Sequence, residues 1–230
     1  MKIKFLKIIS LILFTQSCTV ITNLHKETTD RIKEQNKIWG VDISHYQEIF
    51  DWDKLQKQKP GFIFVKATEG STIQDPKYTE YYKMVRKLKI PVGSYHFFTY
   101  KSSGKEQAKN FLAIVRYQHG DLPMVLDAEF AKVMPNRKQI KKDLFEFMTA
   151  VYGRTGRSPI IYCDYKYYLL YLKDNLPMQC RLWIVDYNHN PNCDWTFWQT
   201  TEKFRVAGIK GYVDFNMFYG TKKDLKNLLF

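Results

Sequence analysis

The sequence has few cysteines, no long apolar run and no cluster of basic residues. Four cysteines occur among 230 residues, and the spacings of the three internal ones match no zinc-binding template. No cluster of histidines and cysteines is present either, so neither a metal nor another cofactor is expected. The apolar run at residues 8–14 is much shorter than the roughly 20 residues of a membrane-spanning helix. Because 45% of the residues are hydrophobic, a disordered chain is excluded.

Positive charge is the strongest bias of the composition. The formal net charge is +13 and the sequence pI is about 9.4. The lysines are spread along the whole chain, and no basic run with interleaved aromatic residues marks a nucleic-acid site. Two explanations stay open, namely attraction to a polyanionic polymer and a generally lysine-rich proteome.

Residues 1–17 have the order of an export signal, because three lysines precede the apolar run and small or polar residues follow it. Cys18 comes next, after Thr15-Gln16-Ser17, in a loose match to the lipid-attachment box of bacterial lipoproteins. Either Cys18 carries a lipid and residues 18–37 form a tether, or ordinary cleavage occurs nearby and Cys18 is incidental. We therefore expect a membrane-anchored lipoprotein of the bacterial cell envelope, or otherwise a secreted or periplasmic protein.

The other three cysteines lie in the C-terminal half of the chain. Disulfides persist in exported proteins. Cys180 and Cys193 bracket a short strand-like run and are the candidates for a pair, which leaves Cys163 free.

From residue 38 to residue 230 the chain alternates strand-like and helical segments, without a composition break or an internal repeat. Helical periodicity marks 76–89, 103–117 and 136–156, the second with a capping box and the third begun by Asn136. No helix is required between the last three strand-like runs. The pattern predicts an α/β fold, a single irregular (β/α) barrel of eight strands and about five helices. The eight apolar runs are 38–44, 61–67, 91–98, 122–129, 158–164, 181–187, 196–200 and 211–218.

Acidic residues recur near the ends of these runs. A buried strand has little reason to carry a bare charge, and the active sites of (β/α) barrels lie at the C-terminal ends of the strands. We therefore predict an acidic site at that end of the barrel. The acids are Asp42, Asp127, Glu129, Asp164, Asp186 and Asp214.

The triplet Asp127-Ala128-Glu129 is the most specific local feature. In a strand, side chains two positions apart face the same way, about 6.6 Å from each other. Two neighbouring carboxyls suit the hydrolysis of a glycosidic bond, in which one acid protonates the leaving oxygen and another supports the cationic centre. Repulsion and burial would raise one pKa and keep a proton available.

Taken in series, the runs resemble those of the family 25 glycoside hydrolases, lysozymes that act as N-acetylmuramidases. The resemblance extends from Trp39 to Tyr219 and implies a flattened barrel of eight strands and five helices with an acidic groove. The matching segments are GVDISHYQ (40–47), FVKATEG (64–70), PVGSYHFF (91–98), VLDAE (125–129), IIYCD (160–164), LWIVDY (182–187), FWQT (197–200) and GYVDFN (211–216).

The resemblance also implies residue roles. Glu129 corresponds to the general acid that cleaves the β-1,4 bond between N-acetylmuramic acid and N-acetylglucosamine, and Asp127 assists it. Asp42 and Asp214 complete the acidic ring. The resemblance favours retention of configuration through the substrate's own acetamido group, whereas carboxyl spacing alone leaves inversion open. The implied substrate-binding residues are Asp186, Tyr95, Tyr162, Trp198 and Gln199.

Several alternatives accompany these assignments. The barrel core is an alternative place for Tyr95, Tyr162 and Trp198. Glu69 also suits an ion pair, and His96 suits a hydrogen-bonded scaffold. A chitinase-like enzyme is disfavoured because the longer acidic series of that class is absent. A catalytically inactive peptidoglycan- or carbohydrate-binding lipoprotein stays open. The expected partners are peptidoglycan strands and, through the lipid, a membrane. Nucleic acid is not expected, and the protein is expected to be a monomer.

Overall fold

The computed structural model describes residues 38–174, 176 and 178–230. The predicted export signal, the lipidation site at Cys18 and the tether at residues 18–37 lie outside the described residues. Within the part of the chain that is described, no helix is both long and apolar enough to cross a bilayer.

Eight strands close into a barrel, as the sequence predicted. Their order around the barrel is β1-β11-β9-β8-β7-β6-β5-β3, and a parallel pairing of β3 with β1 closes the ring. The barrel strands are β1 (Trp39–Ile43), β3 (Phe62–Glu69), β5 (Val92–Phe97), β6 (Val125–Asp127), β7 (Ile160–Asp164), β8 (Leu182–Val185), β9 (Trp195–Phe204) and β11 (Val213–Phe218). The short strands are β2 (Glu48–Ile49), β4 (Ile73–Gln74) and β10 (Ile209–Lys210).

One barrel strand runs against the others. Strand β11 pairs antiparallel with both β1 and β9, whereas the pairings from β1 through β3 and onward to β9 are parallel. Only residues 205–212 connect β9 to β11, a length that permits antiparallel pairing of neighbouring strands. The apolar runs did not reveal this reversal.

The described residues form six helices, one more than the five expected. They are α1 (Trp52–Lys57), α2 (Tyr78–Lys87), α3 (Gly104–Ile114), α4 (Arg137–Thr155), α5 (Tyr165–Tyr167, continued by a π-helical turn at Tyr168–Leu172) and α6 (Lys222–Leu228).

Local sequence sets the ends of the two long outer helices. Ser103 begins α3 with the predicted capping box, in which Ser103 and Glu106 each bond the other's backbone N–H. Asn136 caps α4 by accepting from the backbone N–H of Gln139, and Gly156 ends it in the left-handed conformation with φ 69°. These features of the sequence therefore place both helices correctly.

Alternation along the strands builds two cores. On β3, Phe62 and Phe64 point into the barrel, where Phe64 stacks on Trp183 with 4.5 Å between ring centroids. Ile63 and Val65 point outward and pack beneath the helices. The lower barrel is thus filled with aromatic side chains.

The predicted pairing of Cys180 with Cys193 is wrong, whereas the prediction that Cys163 is free is confirmed. Cys163, Cys180 and Cys193 are all free thiols in the structure. Burial raises the pKa of Cys180 to about 12 and that of Cys193 to about 11. Because the thiolate is the reactive form, these thiols are poorly disposed to exchange.

Close packing between α3 and α4 predicts a strong effect of one methyl group. A Cβ on Gly104 would lie 1.7 Å from the carbonyl oxygen of Asp143. We expect Gly104→Ala to lower the free energy of unfolding by about 3 kcal/mol, since the helices must move apart. Gly153, in α4, has nothing within 4 Å of such a Cβ, and Gly153→Ala should stabilise by about 0.5–1 kcal/mol. Urea unfolding of both variants checks the contrast, and equal effects would contradict it.

Candidate active site

A cavity of about 210 Å³ opens at the C-terminal ends of the parallel strands. Four carboxyls and a single ammonium line it, and we call it the acidic cavity. Its charged residues are Asp42, Lys66, Asp127, Glu129 and Asp214, and its other residues are Ser44, Tyr46, Gln47, Tyr95, Phe97, Tyr162 and Trp183. Six of the nine predicted catalytic and substrate-binding residues are therefore brought together here.

Two of the carboxyls face each other across neighbouring strands. Asp42 on β1 lies directly opposite Asp214 on β11, and their side chains are hydrogen-bonded. Burial raises the pKa of Asp42 well above its usual range, and the charge of Asp214 raises it further. Burial also raises the pKa of Asp214, to about 6. The pair therefore shares a proton, since two facing carboxylates repel each other.

A buried amide holds this pair in place. Asn216 Nδ2 donates to Asp42 Oδ2 at 2.7 Å, and the indole N–H of Trp183 donates to Asn216 Oδ1 at 2.8 Å. The chain of bonds ties the acid on β1 to a ring in the barrel core. The orientation of Asp42 is thus fixed before any ligand arrives.

The predicted carboxyl pair spans the end of β6. This strand ends at Asp127, earlier than the predicted run, and Ala128 continues the ladder by donating its N–H to the carbonyl oxygen of Tyr162 at 2.9 Å. Asp127 and Glu129 both line the cavity, with Asp127 only 7% exposed and Glu129 half-buried. Asp127 Oδ1 is buried and makes no hydrogen bond among the described residues.

The electrostatics of this pair favour holding a proton. Burial raises the pKa of Asp127 well above its usual range, and the charge of Glu129 adds to the effect. Burial likewise raises the pKa of Glu129, followed by the charge of Asp214. Lys66 opposes both shifts. The site therefore holds carboxyls that stay protonated at a pH where an exposed carboxyl is ionised.

Raised carboxyl pKa values predict how stability depends on pH. An acid whose folded pKa exceeds its unfolded pKa binds protons more tightly when folded, so stability falls as pH rises between the two values. For Asp214, this loss begins near the ordinary value of 3.8 and is complete above about 6. We expect Asp214→Asn to raise the free energy of unfolding by about 1–3 kcal/mol at pH 8 and to have little effect below pH 4.

Urea unfolding at both pH values measures this change, and a variant that is less stable than wild type at pH 8 would refute it. Asp224 provides a control of opposite sign. Its pKa is lowered by hydrogen bonds from Thr221, so that its contribution is present at high pH and lost as pH falls. Asp224→Asn should therefore destabilise at pH 8.

Three predicted substrate-binding residues do not line the acidic cavity. Asp186 Oδ1 accepts from the backbone N–H groups of Asn188 and His189, and its backbone carbonyl accepts from the Trp198 indole at 2.8 Å. Gln199 is buried and links two tyrosines, accepting from the hydroxyl of Tyr162 at 2.9 Å and donating to that of Tyr187 at 3.1 Å. These residues form the frame behind one wall of the cavity.

Other polar residues singled out by the sequence have local partners. Asp164 accepts from backbone N–H groups at the start of α5. Glu69 forms an ion pair with Lys66, and His45 bonds Asp75 at 2.7 Å. His96 is buried, bonds Thr68 and Gln107, and has its pKa lowered to about 4 by burial. A strand-end acid is therefore not by itself a sign of catalysis.

Sequence reasoning missed two central residues. Lys66 interrupts the apolar run of β3, so the rule that singled out buried acids applies equally to this cation. Asn216 is fully buried within the last run, where an amide needs partners on both sides. Both signals were present in the sequence, but attention to acids alone overlooked them.

The barrel and the acidic cavity together define a class of protein. Hydrolysis of a glycosidic bond needs one carboxyl that donates a proton and a second that supports the cationic centre. Carboxyls with raised pKa values at the C-terminal end of a barrel provide this pairing. The protein is a glycoside hydrolase.

The comparisons with known proteins agree and give the family. The sequence pattern described as Glycosyl hydrolases family 25 matches residues 41–209, and the chain belongs to this family. Protein YegX of Escherichia coli O6:H1 is 34% identical over 208 residues, covering 86% of this chain and 76% of YegX.

Solved structures show the same fold. A family 25 glycosyl hydrolase from Bacillus anthracis matches with a TM-score of 0.79 and 35% identity, covering 84% of this chain and 94% of its own. A lysozyme from Streptomyces coelicolor matches with a TM-score of 0.78 and 26% identity, and the match covers 85% of this chain and 98% of the lysozyme chain. The resemblance found in the sequence is thereby confirmed.

Proposed function

We propose that the protein is an N-acetylmuramidase that hydrolyses the β-1,4 bond between N-acetylmuramic acid and N-acetylglucosamine in peptidoglycan. The observation that carries this proposal is the acidic cavity, which is lined by four carboxyls with raised pKa values. The similarity of the chain to a solved bacterial lysozyme supports peptidoglycan as the substrate.

Glu129 is the proposed general acid. It is the more exposed member of the carboxyl pair at the end of β6, so a glycosidic oxygen can reach it. Burial raises its pKa, which favours the protonated form that a general acid needs. In the reaction, Glu129 gives its proton to the oxygen that leaves C1 of N-acetylmuramic acid, and the bond between C1 and that oxygen breaks. Water then bonds to C1 and returns a proton to Glu129.

Asp127 is proposed to assist at the reacting centre. A buried oxygen without a hydrogen bond lowers stability by about 1–3 kcal/mol, and a ligand that donates to it recovers this free energy. Asp127 Oδ1 is such an oxygen, and it lies in the cavity beside Glu129. We propose that it accepts from the N–H of the substrate's 2-acetamido group and aligns that group on C1. This alignment favours retention of configuration.

The remaining site residues are proposed to support binding. Asp42 and Asp214 keep the cavity acidic and share a proton. Tyr95 and Tyr162 line the cavity and present hydroxyls and ring faces to a sugar. Gln199 fixes Tyr162, while Asp186 and Trp198 hold the neighbouring loop.

We further propose that the protein is exported as a monomeric envelope protein whose Cys18 is acylated. The order of residues 1–18 supports this proposal. Mass spectrometry of the mature N-terminus tests it, because an unmodified N-terminus beyond Cys18 excludes the lipid.

Release of soluble fragments from purified peptidoglycan tests the proposed enzyme activity. We expect the protein to solubilise peptidoglycan and the Glu129→Gln variant to sediment with it without releasing fragments. An inactive peptidoglycan-binding lipoprotein, the alternative from the sequence, sediments with the polymer in both forms. Wild-type binding without release would favour that alternative.

A further inference from the structure

The acidic cavity contains one cation, and its position is unusual. The Lys66 side chain is 9% exposed, and its ammonium lies 2.7 Å from Glu69 Oε2 and 4.9 Å from the centre of the Phe97 ring. Among the described residues, Glu69 is the only acid that Lys66 pairs with. The ammonium therefore lies in the cavity with the catalytic carboxyls but is bonded to none of them.

A bulge in β3, directly after Lys66, brings Glu69 to the side of this ammonium. Residues two apart on a strand face the same way, so Lys66 and Thr68 would share one face. The register with β5 shifts between these two residues, which leaves Ala67 as an extra residue. Lys66 keeps the inward direction of Phe62 and Phe64. As a result of the bulge, Thr68 turns outward and bonds the buried His96 at 2.7 Å, and Glu69 comes within reach of Lys66. Bulges commonly re-aim side chains beside active sites.

From this geometry we propose that Lys66 and Glu69 act together as positioning residues for the proposed muramidase site. Lys66 supplies a fixed positive charge that favours the ionised form of Asp127 and offsets part of the effect of burial. Glu69 holds the ammonium away from Glu129, where a direct ion pair would remove the proton of the general acid. The role of this pair rests on the proposed function of Glu129 and Asp127, although its effect on their ionisation does not.

The charges around the pair are consistent with this role. Lys66 lowers the pKa of both Asp127 and Glu129, against the larger effect of burial. It also contributes to the lowered pKa of His96. The titratable groups that face the carboxyl pair from the surrounding strands are Asp42 on β1, Lys66 and Glu69 on β3, Tyr95 on β5, Tyr162 and Asp164 on β7, and Asp214 on β11.

Two substitutions should move the ionisation of the site in opposite directions. In Lys66→Met the positive charge is lost, and we expect both limbs of the pH–rate profile to move up by about one pH unit. In Glu69→Gln the ammonium is released to pair with a catalytic carboxyl, and both limbs should move down. The double variant should behave like Lys66→Met, because Glu69 acts through Lys66.

The test is a pH titration of the Asp127 and Glu129 carboxyl carbons by 13C NMR, alongside the pH–rate profile on peptidoglycan. Lys77 and Glu80 form an exposed pair with the same spacing and a 2.8 Å contact, so Lys77→Met and Glu80→Gln are matched controls that should leave both profiles unchanged. Opposite shifts in the Lys66 and Glu69 variants support the proposal. Unmoved midpoints, or a loss of rate at every pH without a shift, would overturn it.

Two further outcomes are informative. If Lys66→Met does not fold, the Glu69→Gln variant still tests the proposal. A downward shift of its carboxyl midpoints supports the proposal, and unmoved midpoints overturn it. If wild type releases nothing from peptidoglycan while the carboxyl midpoints still move as expected, the muramidase assignment fails and the electrostatic role of the pair stands.

Discussion

Replacing Glu129 by glutamine should lower kcat on peptidoglycan fragments by about 10²–10⁴-fold, the range for loss of a general acid. The amide keeps the shape of the side chain and removes the proton that the leaving oxygen needs. KM should change little, because the interaction is made in the transition state rather than with the bound sugar. Steady-state kinetics with soluble fragments measures both parameters.

The leaving group gives a sharper test of the same substitution. The nitrophenolate group of a nitrophenyl glycoside leaves without being protonated. Glu129→Gln should therefore lose far less activity on this substrate than on peptidoglycan. The basic limb of the pH–rate profile should also disappear. Glu80→Gln, an exposed change on α2, is the control for the substitution itself. Equal losses on both substrates would mean that Glu129 is not the acid.

Replacing Asp127 by asparagine should lower kcat by about 10²–10³-fold, the range for loss of one preorganised polar contact to the reacting centre. The oxygen proposed to accept from the 2-acetamido group is buried and unbonded, and an amide placed there presents N–H donors or a weaker acceptor. Folding should survive, because the substitution removes a carboxyl whose ionised form is disfavoured by burial. Kinetics on N-acetylated and de-N-acetylated peptidoglycan measures the effect.

Removing the N-acetyl group from the glycan tests whether Asp127 acts by aligning the substrate's 2-acetamido group. If it does, wild type should lose activity on de-N-acetylated glycan and the Asp127→Asn variant should lose little more. Asp164 ends the neighbouring strand and caps α5, a role that asparagine also fills. Asp164→Asn is therefore the matched control and should keep kcat near wild type. A full further loss in Asp127→Asn on de-N-acetylated glycan would contradict the proposed alignment.

Much of the fold could be predicted from the sequence, because apolar runs and helix caps depend on neighbouring residues alone. Eight apolar runs correspond to eight barrel strands, and the caps at Ser103 and Asn136 begin the two helices where the sequence places them. The reversed direction of β11 could not be predicted in this way. An apolar run has the same composition in either direction, and only its pairing with β1 and β9 reveals the orientation.

The candidate site could be predicted only in part, because local sequence does not show what each acid contacts. Asp42, Asp127, Asp164 and Asp186 lie at or near the C-terminal ends of apolar runs, and Asp214 lies within the last run. Two of these five bond backbone N–H groups at a helix start or a turn. An aspartate serves both purposes equally well, so the sequence does not separate them. The inward position of Lys66 follows from its alternation with Phe62 and Phe64. The position of Glu69 beside it depends on an extra residue in β3, which is visible only in the register with β5.

The most direct measurement is the identity of the sugar at each newly formed end. Purified peptidoglycan is digested by wild type, Glu129→Gln and Glu80→Gln, the new ends are reduced with borohydride, and the fragments are analysed by mass spectrometry. We expect reduced N-acetylmuramic acid ends from wild type and Glu80→Gln and none from Glu129→Gln. Reduced N-acetylglucosamine ends, or equal release by Glu129→Gln, would contradict a muramidase that uses Glu129 as its acid.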